Sequence, residues 1–172
     1  MKSWEKGKSN YQKEIIGLYV KQMIDEKTVR NIVEKVVNKK FGTELCPGQS
    51  METSDGFQKI KDPSGILKIT ESTVKCEPFE QRGVALKDVT TLDEAPNMGC
   101  GIMELDHTSF EWTLTYDEYD IVLEGTLEIE IDGRVLTAGP GEIIFIPKNS
   151  HIHFQTPSFT RYVYVTYPAD WQ

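Results

Sequence analysis

The spacing of apolar positions changes once along the chain. From Val29 the apolar residues Val29, Ile32, Val33, Val36 and Val37 recur at i, i+3, i+4, i+7 and i+8, the stripe of an amphipathic helix. Lys27, Arg30, Glu34, Lys35, Lys39 and Lys40 fill the other face, with Asp25 placed as N-cap and Gly42 as the stop. Tyr11 to Met23 carries a second, shorter helical pattern, weakened by Gly17. Residues 42–64 are rich in Gly, Pro, Ser, Thr and Asp and read as a linker. From Ile66 the helical period disappears. Strand-like runs follow at Ile66–Ile69, Val74–Phe79, Val84–Val89, Gly101–Leu105, Phe110–Tyr116, Tyr119–Leu123, Leu127–Ile131, Ile143–Ile146, His151–Gln155 and Tyr162–Tyr167. Ile131-Asp132-Gly133-Arg134 reads as a two-residue hairpin turn. The pattern predicts a mainly β domain over 65–172, a sandwich or barrel, behind a short α-helical N-terminal extension over 1–41 and a linker over 42–64.

Charge divides the chain at the same place. The net charge of −8 is the sum of +4 over residues 1–61, with 12 basic and 8 acidic side chains, and −12 over residues 62–172, with 7 and 19. An acidic β domain repels phosphate backbones, which argues against nucleic acid as a partner. No apolar run is long enough to cross a bilayer, and the N-terminus lacks the apolar stretch of a secretory signal. Cys46, Cys76 and Cys100 are odd in number and widely separated, with no CxxC or Cys/His cluster. They fit reduced thiols of a bacterial cytoplasm rather than a disulfide framework or a zinc site, with Cys76 and Cys100 as small buried hydrophobes. The amphipathic helix has three ways to bury its stripe: on its own domain or a twin subunit, on another protein, or, more weakly, on a membrane surface.

Phe110–Val122 is the stretch with chemistry in it. Its even positions are Phe110, Trp112, Leu114, Tyr116, Glu118, Asp120 and Val122. If the strand runs unbroken, Glu118 and Asp120 share the face of Phe, Trp and Leu. A carboxylate on an apolar face is costly unless it is paired, protonated or serving a ligand. Two of them at i and i+2 raise each other's pKa, an arrangement suited to acid–base chemistry or cation binding. A turn or bulge near Tyr116–Glu118 would instead send one of them into water.

Glu118 to Gly125, a Glu, six residues and a Gly, resembles the second half of cupin motif one. Gly141-Glu-Ile-Ile-Phe-Ile-Pro147-Lys-Asn149 resembles the start of cupin motif two, with Asn149 replacing the final Gly at a left-handed turn. The resemblance implies a single cupin jelly-roll barrel. The positions where the family carries its metal-binding histidines hold Trp112, Leu114 and Ile152, none of which binds a divalent metal, so no Zn, Fe or Mn is expected. His151 and His153 flank the third position and point away from it on a strand, which makes them solvent-facing, and His107 reads as a surface residue.

Phe110-Glu-Trp-Thr-Leu-Thr-Tyr-Asp-Glu118, Asp120-Ile-Val-Leu-Glu-Gly125, Phe145-Ile-Pro-Lys-Asn-Ser150 and Tyr167-Pro-Ala-Asp-Trp171-Gln172 together resemble the EutQ family of ethanolamine utilization proteins. That resemblance implies a part in bacterial ethanolamine catabolism, acetate kinase activity with ATP/ADP and Mg²⁺, and association with a protein-shelled microcompartment. It also makes the N-terminal helix a candidate for targeting to shell or cargo proteins. The residues alone do not suggest phosphoryl transfer, for there is no phosphate-binding Gly-rich loop. Such transfer needs positioned cations. Glu118 and Asp120 are the candidates to hold Mg²⁺, Lys148, Arg161 and Lys68 to meet phosphates, and Tyr116 to donate to an oxyanion. The competing reading is a non-enzymatic cupin that binds a small ligand or a shell partner. A homodimer is expected, since pairing protects sheet edges.

Overall fold

Ten of the strands pair into two sheets that share one core. A computed structural model describes residues 47–52 and 56–171. The helical extension expected over 1–41, the targeting expected of it, and Cys46 lie outside the described residues. All elements below belong to the compact unit Gly48–Gln172. Thirteen strands follow in order: β1 Ser50–Glu52, β2 Lys59–Lys61, β3 Leu67–Ile69, β4 Glu77–Pro78, β5 Val84–Asp88, β6 Gly99–Asp106, β7 Ser109–Thr113, β8 Asp117–Gly125, β9 Leu127–Ile131, β10 Arg134–Ala138, β11 Ile143–Ile146, β12 His151–Gln155 and β13 Phe159–Tyr167. A six-stranded sheet has the order β11-β8-β13-β6-β5-β4 and a four-stranded sheet the order β10-β9-β12-β7. A third, small sheet runs β1-β2-β3. The mainly β expectation holds, but as separate sheets rather than one closed barrel.

The main core lies between the two larger sheets. Leu105, Val122, Tyr162 and Tyr164 from one meet Leu127, Ile129, Ile152 and Phe154 from the other. β13 is central in its sheet, paired with both β6 and β8, and alternates Tyr162, Tyr164 and Thr166 inward with Val163 and Val165 outward. The Asp132-Gly133 hairpin is present, both residues having positive φ (51° and 75°). Its second strand, β10, shows no strand signal in the sequence because four of its five residues are exposed. β1 and β2 fall within 42–64, the stretch read as linker. Their signal is hidden because Lys59, at 2% exposure, is buried by its ion pair with Glu94 (2.9 Å). The run Val74–Phe79 reduces to the two residues of β4, preceded by a 3-10 turn at Glu71–Thr73.

Gly125 ends β8 with φ of 74°, and a Cβ there would run into the Phe159 backbone carbonyl. Gly125→Ala is therefore expected to destabilise the domain by more than about 2 kcal/mol, readable as a lowered midpoint in urea denaturation.

Candidate active site

The stretch 109–125 does not form one strand. It breaks between β7 and β8, and the chain crosses from the four-stranded to the six-stranded sheet at Leu114–Tyr116. Leu114 stays tied at the crossing, its N–H donating to the Ser150 carbonyl (3.0 Å) and its carbonyl accepting from Asn149 N–H (2.8 Å). Asn149 takes the left-handed conformation there, φ 70°. Because the inner faces of both sheets look into the same core, the parity survives the break. Leu114, Tyr116, Glu118, Asp120 and Val122 are all buried.

Glu118 and Asp120 therefore project into the interior, at 5% and 0% exposure. Ile146 and Thr166 flank Glu118 on the neighbouring strands, and Ile144 and Tyr164 flank Asp120. The two carboxyl groups interact directly, each shifting the other's affinity for a proton. Neither oxygen of Asp120 accepts from any donor group, and the buried Thr166 hydroxyl is also without a partner. Two carboxylates can only accept, so the contact forms when one of them carries a proton. Burial raises the pKa of both, that of Glu118 from 4.5 to about 7, and the charge of Glu118 adds to the rise at Asp120. A single proton held by the pair relieves the repulsion between the two acids.

An aromatic cover closes this pair off. Trp171 folds back with its ring 6.2 Å from that of Tyr116, 5.8 Å from Tyr164 and 6.4 Å from Phe79, and Phe79 stands 6.4 Å from Trp112. Trp112 Nε1 donates to the Tyr116 hydroxyl (2.9 Å). Burial, and then the charge of Glu118, raise the Tyr116 pKa, keeping the phenol protonated. Between Glu118, Tyr116, Met103 and the aromatic rings remains a cavity of about 20 Å³, room for about one water molecule. Leu114 and Ile152 are fully buried and apolar in this interior.

The candidate phosphate ligands do not gather here. Arg161 lies on the outward face of β13, because Tyr162 and Tyr164 take the inward positions. Its guanidinium donates to Glu71 Oε1 (2.7 Å), to Glu104, and to the carbonyls of Glu71 (3.1 Å) and Val74 (3.0 Å). It pins the 3-10 turn to the sheet. Lys68 is exposed on β3 of the small sheet. Of the three, only Lys148 lies at the Glu118 end of the sandwich, exposed just beyond Ile146, with its backbone N–H on Asp117 Oδ1 (2.7 Å). His151 and His153 face outward onto Glu111 (2.7 Å) and Glu130 (2.9 Å), and His107 is exposed beside Asp106. Cys76 and Cys100 are free and half-buried. Asp88, absent from the sequence candidates, holds the cover: its Oδ1 accepts from Tyr164 O–H (2.6 Å) and Trp171 Nε1 (3.4 Å).

Residues 20–172 match the family described as ethanolamine utilisation protein EutQ. The chain belongs to that family. It is 44% identical over 156 residues to a protein named acetate kinase EutQ of Clostridioides difficile (strain 630), covering 86% of this chain and 94% of the relative. To the acetate kinase EutQ of Salmonella typhimurium (strain LT2) it is 37% identical over 161 residues, 92% of this chain and 68% of the relative. The solved structure of the Clostridium difficile EutQ protein superposes with a TM-score of 0.64 at 50% identity, over 67% of this chain and 90% of that one. The segments around Glu118, Asp120, Pro147 and Trp171 sit at the same end of the sandwich or in its cover.

Proposed function

We propose that this chain is an acetate kinase of bacterial ethanolamine breakdown, interconverting acetyl phosphate plus ADP with acetate plus ATP. The identity to the acetate kinase EutQ of Clostridioides difficile across most of both chains carries this reading. In the direction of ATP synthesis the bond from phosphorus to the acetate oxygen breaks and a β-phosphate oxygen of ADP forms the new bond. Acetate leaves as its carboxylate. Both exchanging oxygens are anionic, so the reaction asks for charge neutralisation and alignment rather than a base.

Once deprotonated, the Glu118 and Asp120 carboxylates are hard oxygen donors of the kind that Mg²⁺ takes, so they fit in donor type. They would hold Mg²⁺, which would offset the phosphate charge. Among the described residues no cluster of three or more His, Cys, Asp or Glu is placed to hold a metal, so the other coordination positions fall to substrate and water. Lys148 supplies a positive charge at the rim, and Tyr116 a phenolic donor inside. A nucleotide exceeds a cavity of about 20 Å³ many times over, so phosphates reach the acids only after Phe79, Trp112 and Trp171 move apart.

The same reading takes the two larger sheets as the walls of a cupin jelly-roll barrel, and places the protein in the cytoplasm with a microcompartment, its N-terminal segment meeting shell or cargo proteins. Among the described residues no helix is long and apolar enough to cross a membrane. A homodimer belongs to this reading too: Tyr119, Ile143, Phe145 and Tyr167 are exposed on the outer face of one sheet beside the free edge of β11, and a second copy would cover them. A ligand-binding protein without catalysis is the second reading, favoured by the lack of any Lys or Arg around the interior cavity.

The deciding assay is ADP formation from ATP and Mg²⁺ by the purified chain, with and without acetate. Acetate-dependent ADP release with matching acetyl phosphate is expected, and Lys148→Ala should raise the nucleotide KM about tenfold, the loss of one charge contact. ADP release that ignores acetate would leave the ligand-binding reading standing.

A further inference from the structure

Four residues stand in one row across neighbouring strands of the six-stranded sheet: Asp88 on β5, Gly101 on β6, Tyr164 on β13 and Asp120 on β8. Gly101 lets the row connect. A Cβ there would overlap the hydroxyl and ring of Tyr164, so its absence lets Tyr164 lie across β6 and reach Asp88. The Tyr164 O–H donates to Asp88 Oδ1 (2.6 Å), and Trp171 Nε1 donates to the same oxygen (3.4 Å). We propose that Asp88 is a positioning residue: it latches the C-terminal segment 168–171 shut over Glu118 and Asp120, and the segment opens by releasing Trp171.

The segment is tied down by side chains and hardly at all by its backbone. β13 ends at Tyr167, the last residue to pair with β8. Beyond it the only backbone hydrogen bond among the described residues is local, from Trp171 N–H to the Ala169 carbonyl (3.1 Å). Ala169 and Trp171 are buried, and the bond to Asp88 adds the one polar tie. A stretch with so few backbone ties opens at a small fraction of the free energy of global unfolding. The two bonds on Asp88 Oδ1 are unequal. The short one keeps Tyr164 beside Asp120 as a fixed wall, and the long one makes the indole the partner that leaves. Asp88 is exposed at the end of β5, so water replaces the indole when it goes.

There is room for the movement. On its far side Trp171 borders an open depression of about 270 Å³, walled also by Asp88, Thr90 and Leu92. An indole that turns into this space displaces no strand, and it uncovers the interior cavity beside Glu118. In the latched state the same indole keeps water from that cavity, so a bound acyl phosphate meets its nucleotide acceptor rather than water. This consequence for turnover rests on the acetate kinase reading. The latch itself does not.

Hydrogen exchange at the indole N–H groups of Trp112 and Trp171, followed by NMR on the full-length chain, separates a latch from general loosening. Trp112 Nε1 donates to Tyr116 (2.9 Å) within the same cover and serves as the internal reference. Asp88→Ala is expected to speed exchange at Trp171 about tenfold, through loss of one charge-assisted bond, and at Trp112 less than about twofold. Asp88→Asn keeps an accepting oxygen and should recover most of the protection at Trp171. Trp171→Phe keeps a ring and the Asp88–Tyr164 bond while removing the latch donor, and its backbone N–H at position 171 should exchange several-fold faster than the parent's. Asp88→Ala and Trp171→Phe should also raise hydrolysis of acetyl phosphate without ADP, relative to transfer. In that hydrolysis a water oxygen bonds to phosphorus, the bond to the acetate oxygen breaks, acetate leaves as its carboxylate and the water's protons pass to solvent. Equal acceleration at both indoles, none at either, or an Asp88→Asn that behaves as Asp88→Ala would each overturn the latch. A parent that exchanges as expected but transfers no phosphoryl group to ADP would refute the kinase reading and leave the latch standing.

Discussion

Asp120→Asn is expected to make the domain more stable at pH 8 while removing the acetate kinase turnover proposed for it. Both effects come from the same burial. The native state keeps its proton on a pair whose members would be fully ionised in the unfolded chain. For Glu118, the unfolded chain releases its proton around pH 4.5 and the folded chain only around pH 7. Between those values the native state binds more protons, so stability falls as pH rises and levels off above the folded value. A rise of that size corresponds to about 3 kcal/mol lost across the window. Asp120 shifts in the same direction from 3.8 and adds to the decline. An asparagine can donate to the Glu118 carboxylate but cannot ionise. Urea denaturation at pH 5 and pH 8 should show the parent losing stability with rising pH and the variant losing less. Turnover should drop about 100-fold or more, the scale of removing a charged group that acts in the transition state, and Glu118→Gln should behave alike. A parent that gains stability from pH 5 to pH 8 would sink the account of the pair, and full turnover in both variants would remove it from catalysis.

What the sequence made legible was parity. The alternation through Phe110–Val122 located both acids on the core side even though the strand assumed there is broken. It worked because the crossing at Leu114–Tyr116 preserves which side faces inward. Asn149 and the Asp132-Gly133 turn were equally readable, since a left-handed residue leaves a local chemical signature. Arg161 was not. β13 is apolar on both faces, so its pattern conceals which residues point outward, and only the neighbours Glu71 and Glu104 define the fate of the guanidinium. The roles of Asp88 and Trp171 depend on the chain end folding back across β5, 83 residues away in sequence, and no periodicity carries such a contact. The buried Lys59 misled for a related reason: a lysine signals a surface until its partner Glu94 is known.

Trp171→Ala carries the other large effect, and it tests the cover rather than the acids. The indole is 9% exposed and packs against Phe79, Tyr116 and Tyr164. Truncating a tryptophan so enclosed costs about 3–5 kcal/mol. It also joins the 20 Å³ interior cavity to the 270 Å³ outer one, since Trp171 lines both. Water then reaches Glu118, the desolvation that lifts its pKa to about 7 is relieved, and the value moves back toward 4.5. The two consequences oppose each other at alkaline pH, where hydration of the ionised pair offsets part of the lost packing. The loss of stability should therefore be larger at pH 5 than at pH 8. Calorimetry at both pH values measures that difference, and a ¹³C titration of the Glu118 carboxyl measures the shift directly. Trp171→Phe, which keeps a ring without the Nε1–H that donates to Asp88, should show a smaller shift. A Glu118 pKa that stays near 7 in Trp171→Ala would mean that the sheets alone desolvate the pair, and that the C-terminal segment is not the barrier between the acids and solvent.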